Sequence, residues 1–120
     1  MALENKRIHM RIRVNLPAEV YDVLNGRGLL GKIIDISAGG VALVAAQELS
    51  IDTPISLTFE FEGIKFDKIA ADVVRQIQKG DLYYLGIAFF QINVSKQEEL
   101  ERMVRKVHSL KERGMQRGKL

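Results

Sequence analysis

The stretch Arg11-Ile12-Arg13-Val14-Asn15-Leu16-Pro17-Ala18-Glu19-Val20 alternates without a break. Ile12, Val14, Leu16, Ala18 and Val20 fall on one side, and Arg11, Arg13, Asn15, Pro17 and Glu19 on the other. A period of two is the pattern of a strand with one buried face. Pro17 cannot donate to a ladder, so it marks an edge or a bulge in that strand. The same period returns downstream, where Ile55, Leu57, Phe59 and Phe61 interleave with Ser56, Thr58, Glu60 and Glu62. Between these stretches, Leu29 to Ile36 and Val41 to Ala46 read as two further strands. Ser37-Ala38-Gly39-Gly40 divides them, and the turn residues Asn25-Gly26-Arg27-Gly28 precede them. After a break at Gly63, Ile64 to Ile77 is a long mixed strand expected to bend. Lys79-Gly80-Asp81 is a hairpin turn, and Leu82 to Phe90 a last, aromatic strand.

The period becomes helical only near the end. Ser95 with Glu98 three residues on has the form of a capping box. Leu100, Met103, Val104, Val107 and Leu110 follow as one apolar stripe. Gly114 is the expected stop, and the basic tail beyond it is expected to fray. The expected fold class is therefore all-β: a six-stranded antiparallel β-barrel, whose closure removes sheet edges, with a C-terminal α-helix packed on it. A flexible N-terminal arm is placed at 1–13, the barrel at 11–92, the helix at 95–113 and the tail at 114–120.

Composition agrees with one such domain. A chain of 120 residues hides roughly two thirds of its unfolded surface on folding, enough for a core without staples. Cysteine is absent and histidine occurs twice, which argues against disulfides, a thiol nucleophile or a protein-built zinc site. No apolar run approaches the roughly 20 residues of a membrane span, and no signal-peptide pattern opens the chain. The default is a soluble, reduced, cytoplasmic domain. The net charge of +3 hides a segregation. Residues 1–13 carry Lys6, Arg7, Arg11 and Arg13 against Glu4, a net of +3. Residues 14–101 hold seven basic and thirteen acidic residues, a net of −6, and residues 102–120 seven basic residues against Glu112, a net of +6. An acidic body with basic ends suits local anion sites better than one continuous nucleic-acid-binding face.

Two clusters carry chemistry. In Lys6-Arg7-Ile8-His9-Met10-Arg11, with Arg13 beyond, the guanidinium forks match phosphate oxygens and the O6/N7 edge of guanine, and can stack on a base. In Asp35-Ile36-Ser37-Ala38-Gly39-Gly40, the glycines allow a sharp turn and close approach of a ligand. Ionised Asp35 is an acceptor suited to guanine N1–H and N2–H₂. Ser37 can donate to an oxygen or simply shape the turn. Taken singly, the arginines read as a solvated edge and the second motif as a tight turn. Their order and spacing ahead of a capped helix say more.

Arg7-x-x-x-Arg11, followed at an interval of twenty-odd residues by Asp35-x-Ser37-x-x-Gly40, resembles the signature of the PilZ domain family. The stretches Val73-Val74-Arg75 and Tyr84-Leu85-Gly86-Ile87-Ala88-Phe89 resemble its closing strands, so the likeness covers nearly the whole chain. The resemblance implies a PilZ-like split barrel and a receptor for cyclic di-GMP, a bacterial second messenger, with no further cofactor and no metal. It implies that Arg7 and Arg11 close over the ligand from a flexible segment, that Asp35 and Ser37 hold it from the barrel surface, and that Gly40 allows the turn. Gly39 matches a common position outside the signature. Lys6 stands where the family influences whether one ligand or an intercalated pair binds. Arg13 and Arg75 are further candidate contacts, each also readable as an exposed strand charge. His9 falls on a variable position of the motif, and His108 beside the helix stripe reads as a surface or interface residue.

Nothing in the sequence supports an enzyme: no nucleophile elbow and no phosphate loop are present. With no room for an output domain, the signal is expected to pass to a separate, unidentified protein partner, and a homodimer is left open. No nucleic acid is expected as a partner. The alternatives are a degenerate member of the same family acting as a protein-interaction scaffold without ligand, and a small barrel binding single-stranded nucleic acid through its basic ends. The last class stacks bases on exposed aromatics, whereas Phe59, Phe61, Phe89 and Tyr83 or Tyr84 lie on patterns that face a core.

Overall fold

The computed structural model describes residues 9–90 and 92–118. Six strands precede one helix: β1 (Arg11–Asp22), β2 (Arg27–Ser37), β3 (Gly40–Ala45), β4 (Pro54–Phe61), β5 (Ile64–Lys79), β6 (Leu82–Phe89) and α1 (Val94–Gly118). Every pairing is antiparallel, and the hydrogen-bonded order β1-β2-β3-β6-β5-β4 closes on itself because β4 also pairs with β1. The expected all-β barrel with a C-terminal helix is the observed fold, and closure leaves no sheet edge to template aggregation.

The alternation in β1 is the physical cause of its placement. Ile12, Ala18 and Val20 are buried, Val14 and Leu16 pack partly against the core, and the intervening residues face outward. Pro17 sits just after an irregularity between Arg13 and Leu16, and just before the first residue paired with β4, Ala18 opposite Phe59. The barrel interior is filled by Ile33, Leu43, Leu57, Phe66, Val73 and Leu85, with Phe59 stacked on Phe66 at 5.0 Å between ring centroids. Phe59 and Phe61 are buried, and Tyr83 and Phe89 pack partly on the core, so these rings are not an outward stacking platform. Tyr84 is only half-buried, with the Lys79 ammonium 5.1 Å above its ring.

The long β5 is continuous from Ile64 to Lys79 and irregular at two places. Lys68 takes a left-handed φ of 54°, its N–H donating to Thr58 Oγ1 at 2.9 Å, and the ladder to β6 slips between Val73 and Arg75.

The helix departs from expectation at both ends. Its cap is Asn93, not Ser95: Asn93 Oδ1 accepts from Ser95 N–H at 2.8 Å and Lys96 N–H at 3.4 Å. A cap oxygen serves the second and third helical N–H groups, so Ser95 is already inside the first turn. At the other end the helix runs through Gly114 to Gly118. One glycine inside a helix costs only about 1 kcal/mol against alanine and does not oblige a stop. Leu100 and Val104 are buried and Met103 and Val107 pack partly on the core, while Leu110 is 51% exposed. Steps of three and four from Val104 lead through Val107 to Lys111, and it is Lys111 that turns toward the barrel, its Nζ donating to the Arg13 carbonyl at 2.7 Å. No helix of the described residues is long and apolar enough to cross a membrane.

Candidate functional site

Arg11 and Arg13 face outward because Ile12 faces in. Register then decides what stands beside them. Arg13 lies opposite Asp35 of β2, Asp35 opposite Ala42 of β3, Ala42 opposite Gly86 of β6, and Gly86 opposite Arg75 of β5. A second row runs Arg11, Ser37, Gly40, Ala88 and Asp72 across the same five strands. Directly opposed residues of an antiparallel pair share a face. The outer wall of the barrel therefore carries a shelf floored by Ala42, Gly86 and Ala88, with Arg11, Arg13 and Asp35 at one side and Arg75 at the other.

The Arg75 side chain lies across that floor. A Cβ placed on Gly86 would stand 3.2 Å from Arg75 Cβ, 3.5 Å from its Nε and 3.7 Å from one terminal nitrogen. A glycine in a strand interior signals close approach of another group, and that signal at Gly86 was available in the sequence, where the residue served only as part of a closing strand. Ala42, Ala88 and Asp72 carry no comparable signal, since nothing local distinguishes them from other outward strand residues.

Asp35 is the electrostatic centre of the shelf. Arg11 Nε stands 3.6 Å from Asp35 Oδ1, an ion pair too long for a hydrogen bond. Asp35 Oδ1 is shielded from solvent and has no hydrogen-bond partner among the described residues. A buried, unpartnered carboxylate oxygen is rare in native proteins because desolvation disfavours it strongly.

Ser37 is used differently. It is 5% exposed, accepts the Gly39 N–H at 3.1 Å and donates to the Gly40 carbonyl at 3.3 Å, so its hydroxyl shapes the turn. The glycines of this turn are required for space. The left-handed glycines of the described chain are Gly26, Gly63 and Gly80, and neither Gly39 nor Gly40 is among them. A Cβ on Gly40 would lie 2.1 Å from the Ile87 carbonyl oxygen, and one on Gly39 would lie 3.1 Å from His9 Cδ2. The expectation that Gly40 frees the backbone to turn is thus corrected: it lets β3 run against β6.

Arg7 and Lys6 lie outside the described residues. His9 is inside them, and its Nδ1 is 3.0 Å from Glu101 Oε1 of α1, a contact no local pattern announced. His108 stays on the helix surface, 3.2 Å from Glu112. Among the described residues no group of three or more His, Cys, Asp or Glu is placed to hold a metal ion. An open groove of about 740 Å³ elsewhere on the barrel, lined by Tyr21, Leu30, Ser56, Thr58 and Lys68 among others, includes none of the shelf residues.

The arrangement can bind a planar, anionic ligand with hydrogen-bond donors on one edge. The floor admits a flat ring, Arg11, Arg13 and Arg75 supply cationic forks, and Asp35 supplies an acceptor.

Comparison with known proteins bears on this site. A family model described as PilZ domain matches residues 5–106. No curated protein matches at the sequence level. Among solved structures, the chain is similar to the Bacillus subtilis inhibitor of motility MotI/DgrA, with a TM-score of 0.77 at 18% identity, covering 89% of this chain and 53% of that one. It is similar to YcgR of Escherichia coli in complex with c-di-GMP, with a TM-score of 0.72 at 15% identity over 95% of this chain and 50% of that one. The complex of K. pneumonia MrkH with c-di-GMP gives a TM-score of 0.75 at 21% identity over 92% of this chain and 55% of that one. The chain spans about half the length of each of these three, and identities this low speak for the fold.

Proposed function

This chain belongs to the PilZ domain family, and from that premise we propose that it is a receptor for cyclic di-GMP, the ligand of the YcgR and MrkH complexes. The observation that carries the reading is the solvent-shielded Asp35 Oδ1, which has no hydrogen-bond donor among the described residues, set beside Arg11 on a floor of small residues. Cyclic di-GMP offers donors that Asp35 Oδ1 does not receive from the described residues. Guanine N1–H and N2–H₂ donate to Asp35, and the two phosphodiester charges meet arginine forks. Arg75, lying over Gly86, presents a flat guanidinium to a base.

In this reading Arg7 and Arg11 close over the ligand from the N-terminal segment, with Lys6 beside them and Arg13 as a phosphate contact. Ser37 holds the turn beside Asp35, Gly40 lets β3 run against β6 there, and Gly39 keeps that turn clear. Each charge-assisted bond contributes on the order of 1.5–3 kcal/mol, and a few of them, less the ordering of the arm, give micromolar affinity or tighter. The output is a changed surface read by a separate protein, because ordering an arm alters surface without making or breaking a bond.

Isothermal titration with cyclic di-GMP tests the proposal. Arg7→Ala and Arg11→Ala are each expected to lower affinity at least about tenfold, or ~1.4 kcal/mol. Wild-type affinity in both variants, or no heat with the unaltered chain, would sink it. Amide exchange at residues 5–13 is expected to slow on ligand addition, and a salt-dependent response to an oligonucleotide with none to cyclic di-GMP would favour a nucleic-acid binder instead.

A further inference from the structure

Three side-chain hydrogen bonds join α1 to the barrel among the described residues, and all three reach the segments that carry the site. Gln97 Nε2 donates to the Ala38 carbonyl at 3.0 Å, inside the Ser37–Gly40 turn. Lys111 Nζ donates to the Arg13 carbonyl at 2.7 Å. Between them, Glu101 Oε1 meets His9 Nδ1 at 3.0 Å.

The His9 contact is built from several sides. Glu101 is itself oriented, its Oε2 accepting from Arg105 Nε at 2.8 Å, so its other oxygen is held toward the histidine. Both partners are largely covered, with side chains 29% and 21% exposed. The other edge of the ring rests on the turn, where a Cβ on Gly39 would stand 3.1 Å from His9 Cδ2. Any residue larger than glycine there would press on the ring, which gives Gly39 a role that direct ligand contact does not supply. His9 is thereby pinned between helix and turn, two residues before Arg11 and two after Arg7.

We propose that His9 is a positioning residue for cyclic di-GMP: clamped by Glu101 and Gly39, it seats the arginine segment on the barrel before ligand arrives and ties ligand binding to α1. The inference rests on the receptor reading above. Ordering a free residue costs backbone entropy, so a segment already held at His9, just ahead of Arg11 in the β1–β2 ladder, meets part of that cost in the unliganded state. By linkage, whatever ligand does to the arm is felt at Glu101, and whatever displaces α1 is felt in affinity.

The test is a double-mutant cycle read by titration with cyclic di-GMP and by thermal unfolding of the unliganded chain. His9→Ala and Glu101→Ala are each expected to weaken binding about fivefold, and the double variant no further, because both remove one interaction. The thermal midpoint should stay within about 2 °C of the unaltered chain, since a partly exposed pair contributes little to global stability. His9→Gln, whose amide can still donate to Glu101, should recover most of the affinity. Single variants at wild-type affinity, or losses that multiply in the double variant, overturn the inference while leaving the receptor reading intact. An unaltered chain that takes no cyclic di-GMP overturns both, and amide exchange at Arg11–Arg13 unchanged by Glu101→Ala overturns the clamp on its own terms.

Discussion

The two ends of the β1–β2 ladder use the same chemistry to opposite ends. At the hairpin end, Asp22 is 1% exposed and its carboxylate is saturated. It accepts from Leu24 N–H at 3.1 Å, Asn25 N–H at 3.2 Å and Asn25 Nδ2 at 2.8 Å, with Arg27 Nε 3.7 Å away. At the open end, Asp35 has an arginine at nearly the same distance, yet its shielded oxygen takes no hydrogen bond from the described residues. Both are Asp–Arg pairs near a turn. One is closed by its own loop and stabilises the fold. The other takes no hydrogen bond from the described residues, and the proposed receptor function rests on that difference. The difference shows that an ion pair is read by what saturates it, not by its residue types.

The sharpest way to break this contrast is at the glycine of the open end. Gly40→Ala forces a methyl group to within 2.1 Å of the Ile87 carbonyl, and we expect a loss of about 3 kcal/mol in urea unfolding. A loss below ~1 kcal/mol would mean that β3 can move away from β6 and that Gly40 answers to the ligand after all. Next in size is Asp22→Ala. It strands the loop donors of Leu24 and Asn25 and should cost about 2 kcal/mol of stability, with cyclic di-GMP affinity unchanged by titration. Asp35→Ala should do the reverse. Affinity falls at least about tenfold, ~1.4 kcal/mol, while unfolding stability holds or rises, because a poorly solvated charge is removed. A destabilised Asp35→Ala that still binds would erase the distinction between the two ends.

The smallest effect is in pH. The Asn25 side-chain hydrogen bond, opposed by burial and helped by the Asn25 and Leu24 N–H groups and Arg27, holds the Asp22 carboxyl below its ordinary value of 3.8. A carboxyl lowered in the folded state contributes stability that is present above its unfolded value and is lost as pH falls through the folded one. Unfolding free energy of the unaltered chain should therefore drop more steeply below about pH 4 than that of Asp22→Asn. Parallel slopes would show that Asp22 titrates normally.

Much of the barrel was legible because burial imposes a period. The run Ile12 to Val20 and the run Ile55 to Phe61 each state which face is inside, and both are borne out by burial. The helix stripe was legible for the same reason, and its ends were not. Asn93 and Ser95 are both capping types two residues apart, and which of them caps depends on where the chain leaves β6. The pairing of arginines with Asp35 and Ser37 was legible as a motif, and Arg11 does stand beside Asp35. That Ser37 shapes the turn was among the readings its type allowed, and its partners are two and three residues away; that Gly40 serves the β3–β6 approach was not legible, because the Ile87 carbonyl that constrains it comes from β6.

By itself the sequence determined the strands, their inward faces and the two clusters of candidate ligand groups, since alternation and motif spacing are local properties that a linear chain displays. Only the tertiary structure decided that Arg75 and Gly86 join Arg13 and Asp35 in one row, that Asp35 Oδ1 takes no hydrogen bond from the described residues where Asp22 takes three, and that His9 meets Glu101 92 residues away. These depend on the register at which the barrel closes and on where the helix lands. Both follow from the summed packing of residues distant in sequence, which no single stretch of chain contains.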